Sequence, residues 1–383
     1  MTLPEPPKRS RALTALMILV LLYIFVCGIN LMGNGCKALK EHPFVAALLR
    51  QTENPFIGLF VGVLVTSIIQ SSSATTSIVV GLVGKQVLSV QCAIPIIMGA
   101  NIGTTVTNVL VSMGYVMRRE EFRRATSGAV VHDLFNLFVV VILLPFEMTF
   151  HFLERAAVWL TGVLPQINTE ETAKALDVKA FNPLGPVLKP ALNLVEQLVG
   201  TPAGPGWVAG ITALIGLACV FFALIMLVRV LRSVMLGRAE AFITRVIGKS
   251  GWMGILIGLL VTAMVQSSSI TTSVLVPMAA AGIVSVEQIF PITIGANIGT
   301  TVTALIAAMG AGGAGVTIAL VHTLFNLAGL ALFYPIPALR RIPVRLAERV
   351  GSFAATSRKL ALLYVFVIFY GIPGVLIVVY RLF

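Results

Sequence analysis

Gln70-Ser71-Ser72-Ser73-Ala74-Thr75-Thr76-Ser77 returns as Gln266-Ser267-Ser268-Ser269-Ile270-Thr271-Thr272-Ser273. Behind each copy stands an identical Gly-Ala-Asn-Ile-Gly-Thr-Thr-Val-Thr, at 99–107 and 295–303. Gln266 follows Gln70 by 196 residues, and Gly295 follows Gly99 by the same 196. One offset shared by two motifs marks an internal duplication. Outward, the match runs from Gly58/Gly254 and Gly62/Gly258 through Pro95/Pro291 to Met113-Gly114/Met309-Gly310. It then loses six residues and resumes as Val131-His132-Asp133-Leu134-Phe135-Asn136 against Val321-His322-Thr323-Leu324-Phe325-Asn326.

The surrounding sequence is made for lipid. Of 383 residues, 57% are hydrophobic and 11% charged, with mean hydropathy +0.98, too apolar for a soluble domain of this size. About 20 residues carry a helix across the hydrocarbon, and runs near 13–34, 125–146, 206–228, 314–338 and 361–380 reach that length. The expected fold class is an all-α polytopic membrane protein. The net charge of +12 reads as topology rather than a polyanion-binding face, because Lys and Arg gather between the spans. Clusters at Lys8-Arg9-Arg11, 118–124, 229–249 and 340–359 are expected in the cytoplasm, with the N-terminus, and the nearly charge-balanced 165–205 loop outside. The first apolar run exceeds a signal-peptide core and lacks a small-x-small cleavage site, so it reads as a retained helix of a cell (inner) membrane protein. Cys27, Cys36, Cys92 and Cys219 lack metal-ligand spacing and read as packing residues. No transition-metal site and no cofactor are expected, sodium being the only metal ion.

The duplication is expected to be inverted. Repeat 1 begins near Asn54, after a loop placed outside; repeat 2 begins near Lys249, in a basic loop placed inside. The reading divides the chain into a tail and first helix (1–53), repeat 1 (54–148), a connecting region with a transmembrane helix (149–249), repeat 2 (250–338) and a basic loop with a last helix (339–383). In each repeat the short apolar runs 57–69 and 253–265 lead into the Gln-Ser-Ser-Ser stretch, and neither flank spans a bilayer alone. Two re-entrant hairpins or broken helices meeting at mid-membrane are the expected form, the arrangement of secondary transporters.

The chemistry of these half-sites follows from their residue types. No Lys, Arg, His, Asp or Glu occurs within 66–77, 99–107, 262–273 or 295–303. Hydroxyl and carboxamide oxygens suit an alkali cation, while hydroxyl hydrogens and amides at a helix start suit an oxyanion. A helix N-terminus offers only about half a charge, so an anion stripped of water there needs bound cations beside it. The candidate residues are Gln70, Ser71, Ser72, Ser73, Asn101 and Thr104 in repeat 1, and Gln266, Ser267, Ser268, Ser269, Asn297, Thr300 and Thr303 in repeat 2. Against them stands back-bonding of Ser and Thr to their own helix, which three consecutive hydroxyls, pointing around all sides of a helix, do not satisfy. Gly99-x-x-x-Gly103 and Gly295-x-x-x-Gly299 read as close-packing positions. A serine nucleophile is disfavoured, because no Gly-x-Ser-x-Gly elbow and no His-acid pair accompany the serines. Asp133 is the one acid within 125–146 and is functional by position. Asn136 lies one turn away on the same face, so the two can share a cation, whereas His132 points elsewhere. Both His132 and His322 read as structural.

At these residues the chain resembles the type II sodium-dependent phosphate cotransporters, the solute carrier 34 group, in a compact bacterial form. The doubled Gln-Ser-Ser-Ser, the Gly-Ala-Asn-Ile-Gly-Thr-Thr and the stretch from Glu121-Phe122-Arg123-Arg124 to Val131-His132-Asp133 carry the resemblance, which covers nearly all of 54–338. It implies sodium-driven uptake of divalent inorganic phosphate by alternating access and no enzymatic activity. Gln70 to Ser73 and Gln266 to Ser269 would surround phosphate and sodium, Thr300 and Thr303 would join Gln266 at one sodium, and Asp133 and Asn136 would serve another. An acid at the Asp133 position implies electrogenic transport. A sodium symporter of arsenate or sulfate remains an alternative, as do an anion channel and a phosphate sensor.

Overall fold

A computed structural model describes residues 11–163, 185–201, 206–246, 250–357, 363 and 366–382. Lys8 and Arg9, residues 165–184 and 202–205 of the loop expected outside, Lys249 and Lys359 lie outside the described residues. The described residues are almost wholly helical: α1 (Arg11–Ala38), α2 (Pro43–Gln51), α3 (Pro55–Ile69), α4 (Ser72–Gly84), α5 (Val90–Gly103), α6 (Thr105–Ser112), α7 (Arg119–Phe150), α8 (Phe152–Val163), α9 (Gly185–Val199), α10 (Gly206–Val246), α11 (Gly251–Val265), α12 (Ser268–Ala280), α13 (Val286–Ala311), α14 (Gly313–Phe333), α15 (Pro337–Ala354) and α16 (Ile372–Leu382). Among the described residues, six helical stretches are long and apolar enough to cross a membrane: Ala12–Ala38, Val90–Tyr115, Arg119–Phe150, Gly206–Val234, Val286–Ala311 and Gly313–Phe333. The chain is an all-α polytopic membrane protein.

Two details differ from the sequence reading. Among the described residues, much of the basic sequence is helical rather than loop: Arg119–Arg124 opens α7, Arg229 and Arg232 continue α10, and Arg340–Arg349 lies on α15. A helix continues past the hydrocarbon where arginines find solvent or carboxylates one turn away, as Arg118 does with Glu121 at 2.8 Å and Arg123 with Glu120 at 3.0 Å. The 165–205 segment, expected as a loop, likewise contains α9.

The duplicated motif breaks the helices as expected. α3 and α4 have 15 and 13 residues, as do α11 and α12. At 1.5 Å per residue each is about 20 Å long, short of a hydrocarbon core of about 30 Å. Gln70 (φ 58°, ψ 29°) and Gln266 (φ 58°, ψ 26°) end the first arms in the left-handed conformation, which costs a residue with a Cβ roughly 1–2 kcal/mol. Ser71 and Ser267 then cap the second arms, their hydroxyls accepting the Ala74 and Ile270 N–H at 3.2 and 3.3 Å.

Glycines fix how the arms lie. A Cβ on Gly62 would sit 2.1 Å from the Ile96 carbonyl oxygen, and one on Gly99 2.0 Å from that of Leu59. Gly258 and Gly295 meet Ile292 and Ile255 in the same way. α3 and α5 therefore run parallel in near-backbone contact, as do α11 and α13. The short link from Lys85 to Ser89 returns α4 to the face where α3 started, so the first unit is a re-entrant hairpin. The second arms cross over: α4 packs on α13 and α14, and α12 on α6 and α7.

The two hairpins open on opposite faces. Gly84, at the end of α4, lies against Ala311 at the end of α13. Gly282, just past α12, lies against Arg124 near the start of α7, and the short link to Val286 places the start of α13 there too. α13 thus begins on the face that hairpin two opens to and ends on the face that hairpin one opens to. The duplicated units have inverted topology.

Candidate functional site

The two helix breaks meet. Ser73 Oγ lies 3.5 Å from the Gln266 carbonyl oxygen, across the boundary between the units. Each tip is tied to its own first arm by one threonine pair: Thr66 donates to Thr75 at 2.9 Å, and Thr262 to Thr271 at 2.8 Å. Ser72, Ser73, Ser268 and Ser269 are buried, while the capping Ser71 and Ser267 are half-buried. Both second arms start at the tips, so the N-termini of α4 and α12 bring their uncompensated N–H groups there.

The glutamines differ. Gln266 is buried; its Oε1 accepts the Thr303 hydroxyl at 2.9 Å and its Nε2 donates to the Ala263 carbonyl at 2.5 Å. Gln70 is exposed, and the residue matching Thr303 by the 196 offset, Thr107, has its hydroxyl oxygen sealed from solvent with no hydrogen-bond partner among the described residues. Expected partners Gln266 and Thr303 are therefore assembled. Thr300 is one turn away and donates to the Asn297 carbonyl at 2.5 Å, and Thr104 donates to Ala100 at 3.1 Å.

Behind the tips lies a buried polar network. His132 on α7 shares hydrogen bonds with Thr105 Oγ1 through Nδ1 at 2.9 Å and with Asn297 Oδ1 through Nε2 at 2.5 Å. Asn297 Nδ2 donates to Asn136 Oδ1 at 2.7 Å, and Asn136 Nδ2 lies 3.3 Å from the Asn101 carbonyl. Asn101 Oδ1 in turn is 3.5 Å from His322 Nε2. Each histidine thus reaches the motif asparagine of the opposite unit. A second bridge joins Thr272 to Asn108 Oδ1 at 3.0 Å.

The histidines, read as structural, are part of this network. His132 and His322 come from outside the motif and touch it, 1% exposed each. The repeated Val-His-x-x-Phe-Asn was the available signal. Asn136 stands one turn after His132 and joins its network, directing its carboxamide to Asn297 and Asn101, while Asp133 is buried beside it in sequence.

Two oppositely directed units, each broken by the same polar motif and meeting at the breaks, define an inverted-repeat membrane protein with paired re-entrant hairpins. The chain belongs to the Na+/Pi-cotransporter family, which it matches over residues 24–158 and 219–342. It is 32% identical over 444 residues to sodium-dependent phosphate transport protein 2B of Homo sapiens and of Pongo abelii, an alignment covering 94% of this chain and 64% of each relative. With sodium-dependent phosphate transport protein 2A of Ovis aries it shares 34% identity over 447 residues, 97% of this chain and 69% of the relative. The chain thus spans 64% of the length of the 2B proteins. No solved structure matches it. The resemblance read from the motifs is confirmed at the level of the family.

Proposed function

We infer that this chain couples sodium to the uptake of inorganic phosphate across a cell membrane, with its N-terminus in the cytoplasm. The observation that carries this reading is the meeting of the tips: Ser73 against Gln266, with two capped helix N-termini and no Lys or Arg in either motif. Such a site favours an oxyanion through N–H and hydroxyl donors but supplies too little fixed charge for a divalent phosphate. Sodium beside it, on oxygens such as Gln266 Oε1 and Thr303 Oγ1, supplies the remainder. The anion then binds well only after sodium, which is coupling. No enzymatic step is involved.

Alternating access fits the inverted units, since two hairpins opening on opposite faces offer the same tips to either side. Buried Asp133 adds a carboxylate to the cation side of the balance, and transport that moves net charge follows. Phosphate uptake into proteoliposomes containing the purified chain tests the reading: it should require an inward sodium gradient. Equal uptake with potassium would reject coupling to sodium, flux without sodium would indicate a channel, and stronger transport of sulfate or arsenate would reassign the substrate.

A further inference from the structure

The end of α7 remote from its arginines carries a second polar cluster that the transport reading leaves unused. α7 stops at Phe150 because His151 adopts a left-handed conformation (φ 50°, ψ 38°), its N–H reaching the Glu147 carbonyl at 2.9 Å. α8 begins at the next residue. Glu147, 4% exposed, bends over this break and caps α8: Oε2 accepts the Leu153 N–H at 2.7 Å and Oε1 the Glu154 N–H at 3.1 Å. His151 Nδ1 lies 3.3 Å from Glu154 Oε2. One ligating atom from each of Glu147, His151 and Glu154 falls within 4.8 Å of the others.

We propose that Glu147, His151 and Glu154 form a binding site for a divalent transition-metal ion, with zinc the ion the donor set fits best. The cap does not exhaust Glu147: each oxygen accepts one N–H, whereas a carboxylate has about four lone-pair positions. Zinc bonds of about 2.1 Å place tetrahedral ligands about 3.4 Å apart. His151 and Glu154 already stand at that spacing, and a rotation of these half-buried side chains closes the rest onto the fixed, buried Glu147. Two carboxylates neutralise the ion, and the imidazole selects zinc over magnesium or calcium, which prefer oxygen alone. Three protein ligands leave one position for water or an outside donor.

The site departs from the expectation of sodium alone. Ligands at i, i+4 and i+7 would share one stripe of a straight helix. Here they converge because the chain breaks at His151, and no Cys or His pairing announces them. The cluster also lies roughly 40 Å along α7 from the Arg119 end at 1.5 Å per residue, so it answers to the membrane face opposite the basic one.

The test uses the full chain purified in detergent, stripped with chelator, and titrated with zinc chloride against a fluorescent zinc indicator, with thermal unfolding followed in parallel. One zinc per chain and a raised unfolding temperature are expected. His151→Ala and Glu154→Gln, neither of which supplies the cap of α8, should each weaken zinc binding at least about tenfold and remove the thermal shift. Glu147→Gln retains an amide oxygen for the cap and should weaken zinc binding as well. Millimolar magnesium should not compete. No stoichiometric zinc in the unmodified chain, or zinc bound as tightly by the His151 and Glu154 variants, overturns the proposal. These readouts do not depend on phosphate transport, so either reading can fail without the other.

Discussion

The two duplicated units carry the same residues in different bonds. In the second unit Gln266 is buried and held by Thr303, while in the first Gln70 is exposed and Thr107 has no partner among the described residues. Thr105 bonds His132, whereas its counterpart Thr301 turns back to the Ile298 carbonyl at 2.7 Å and His322 Nδ1 has no partner among the described residues. His132 to Asn297 is 2.5 Å, and the reciprocal His322 to Asn101 is 3.5 Å. One diagonal across the boundary is tight and the other loose. Part of this is written in the sequence, since Asn108, which receives Thr272, is matched by Ala304, and the corresponding Thr76 hydroxyl has no partner among the described residues. Yet Gln70/Gln266, Thr107/Thr303 and Thr105/Thr301 are identical pairs, so there the difference is conformational. Identical residues that occupy alternative bonds are what a two-state device requires, and we read the arrangement as one of two states that differ in which unit is closed.

The strongest perturbation removes what the units share. Ser71→Ala with Ser267→Ala deletes both caps, each worth about 1 kcal/mol, and with them one hydroxyl from each of the meeting tips. Sodium-dependent phosphate uptake in proteoliposomes should fall to background while the protein still reaches the membrane. Normal uptake would move the site away from the tips and dissolve the pairing on which the comparison rests.

Asp133 is the sharpest difference in sequence, since the second unit has Thr323 at that place. Asp133→Gly should reduce or abolish the current evoked by phosphate while leaving measurable sodium-dependent uptake. An unchanged charge per phosphate, from current and tracer flux recorded together, would remove Asp133 from any cation site.

These two experiments address what the sequence led us to expect. The fold was legible because hydropathy of this strength has one solution, and because a 196-residue offset shared by two polar motifs forces a duplication. Gly99, Gly103, Gly295 and Gly299 read correctly as close-packing positions, while Gly62 and Gly258 were seen only as part of the repeat. The partners of the histidines were not legible, because a His flanked by apolar residues carries no sign of what it will bond. Only the crossing of α7 onto α13 brings His132 to Asn297. Nor did the sequence show that α9 or the arginine-bearing ends of α7 and α10 are helical, since Lys and Arg there answer to membrane topology and helix propensity alike.

The tight and loose diagonals predict unequal histidine deletions. His132→Ala strands the Thr105 hydroxyl and the Asn297 Oδ1, and buried groups so stranded cost about 1–3 kcal/mol each. His322→Ala strands only the distant Asn101 oxygen. Heated in detergent and assayed for the fraction remaining folded, the His132 variant should lose several degrees more than the His322 variant. Equal losses would mean the two diagonals are energetically alike.

The smallest effects separate the tips themselves, and they differ in sign. Thr303→Val keeps the shape of the side chain but strands the buried Gln266 oxygen, a loss of about 1–3 kcal/mol, and it withdraws one oxygen from the proposed sodium site. Apparent sodium affinity in the uptake assay should drop. Thr107→Val removes a hydroxyl that has no partner, so stability should hold within about 0.5 kcal/mol or rise slightly. If the first unit must close as the second opens, however, Thr107 becomes the partner of Gln70 in the other state, and the same substitution should slow turnover while leaving thermal stability untouched. A Thr107→Val protein with unaltered stability and unaltered turnover would mean that Gln70 never exchanges places with Gln266, and the difference between the units would then be a fixed feature of the fold rather than one half of a cycle.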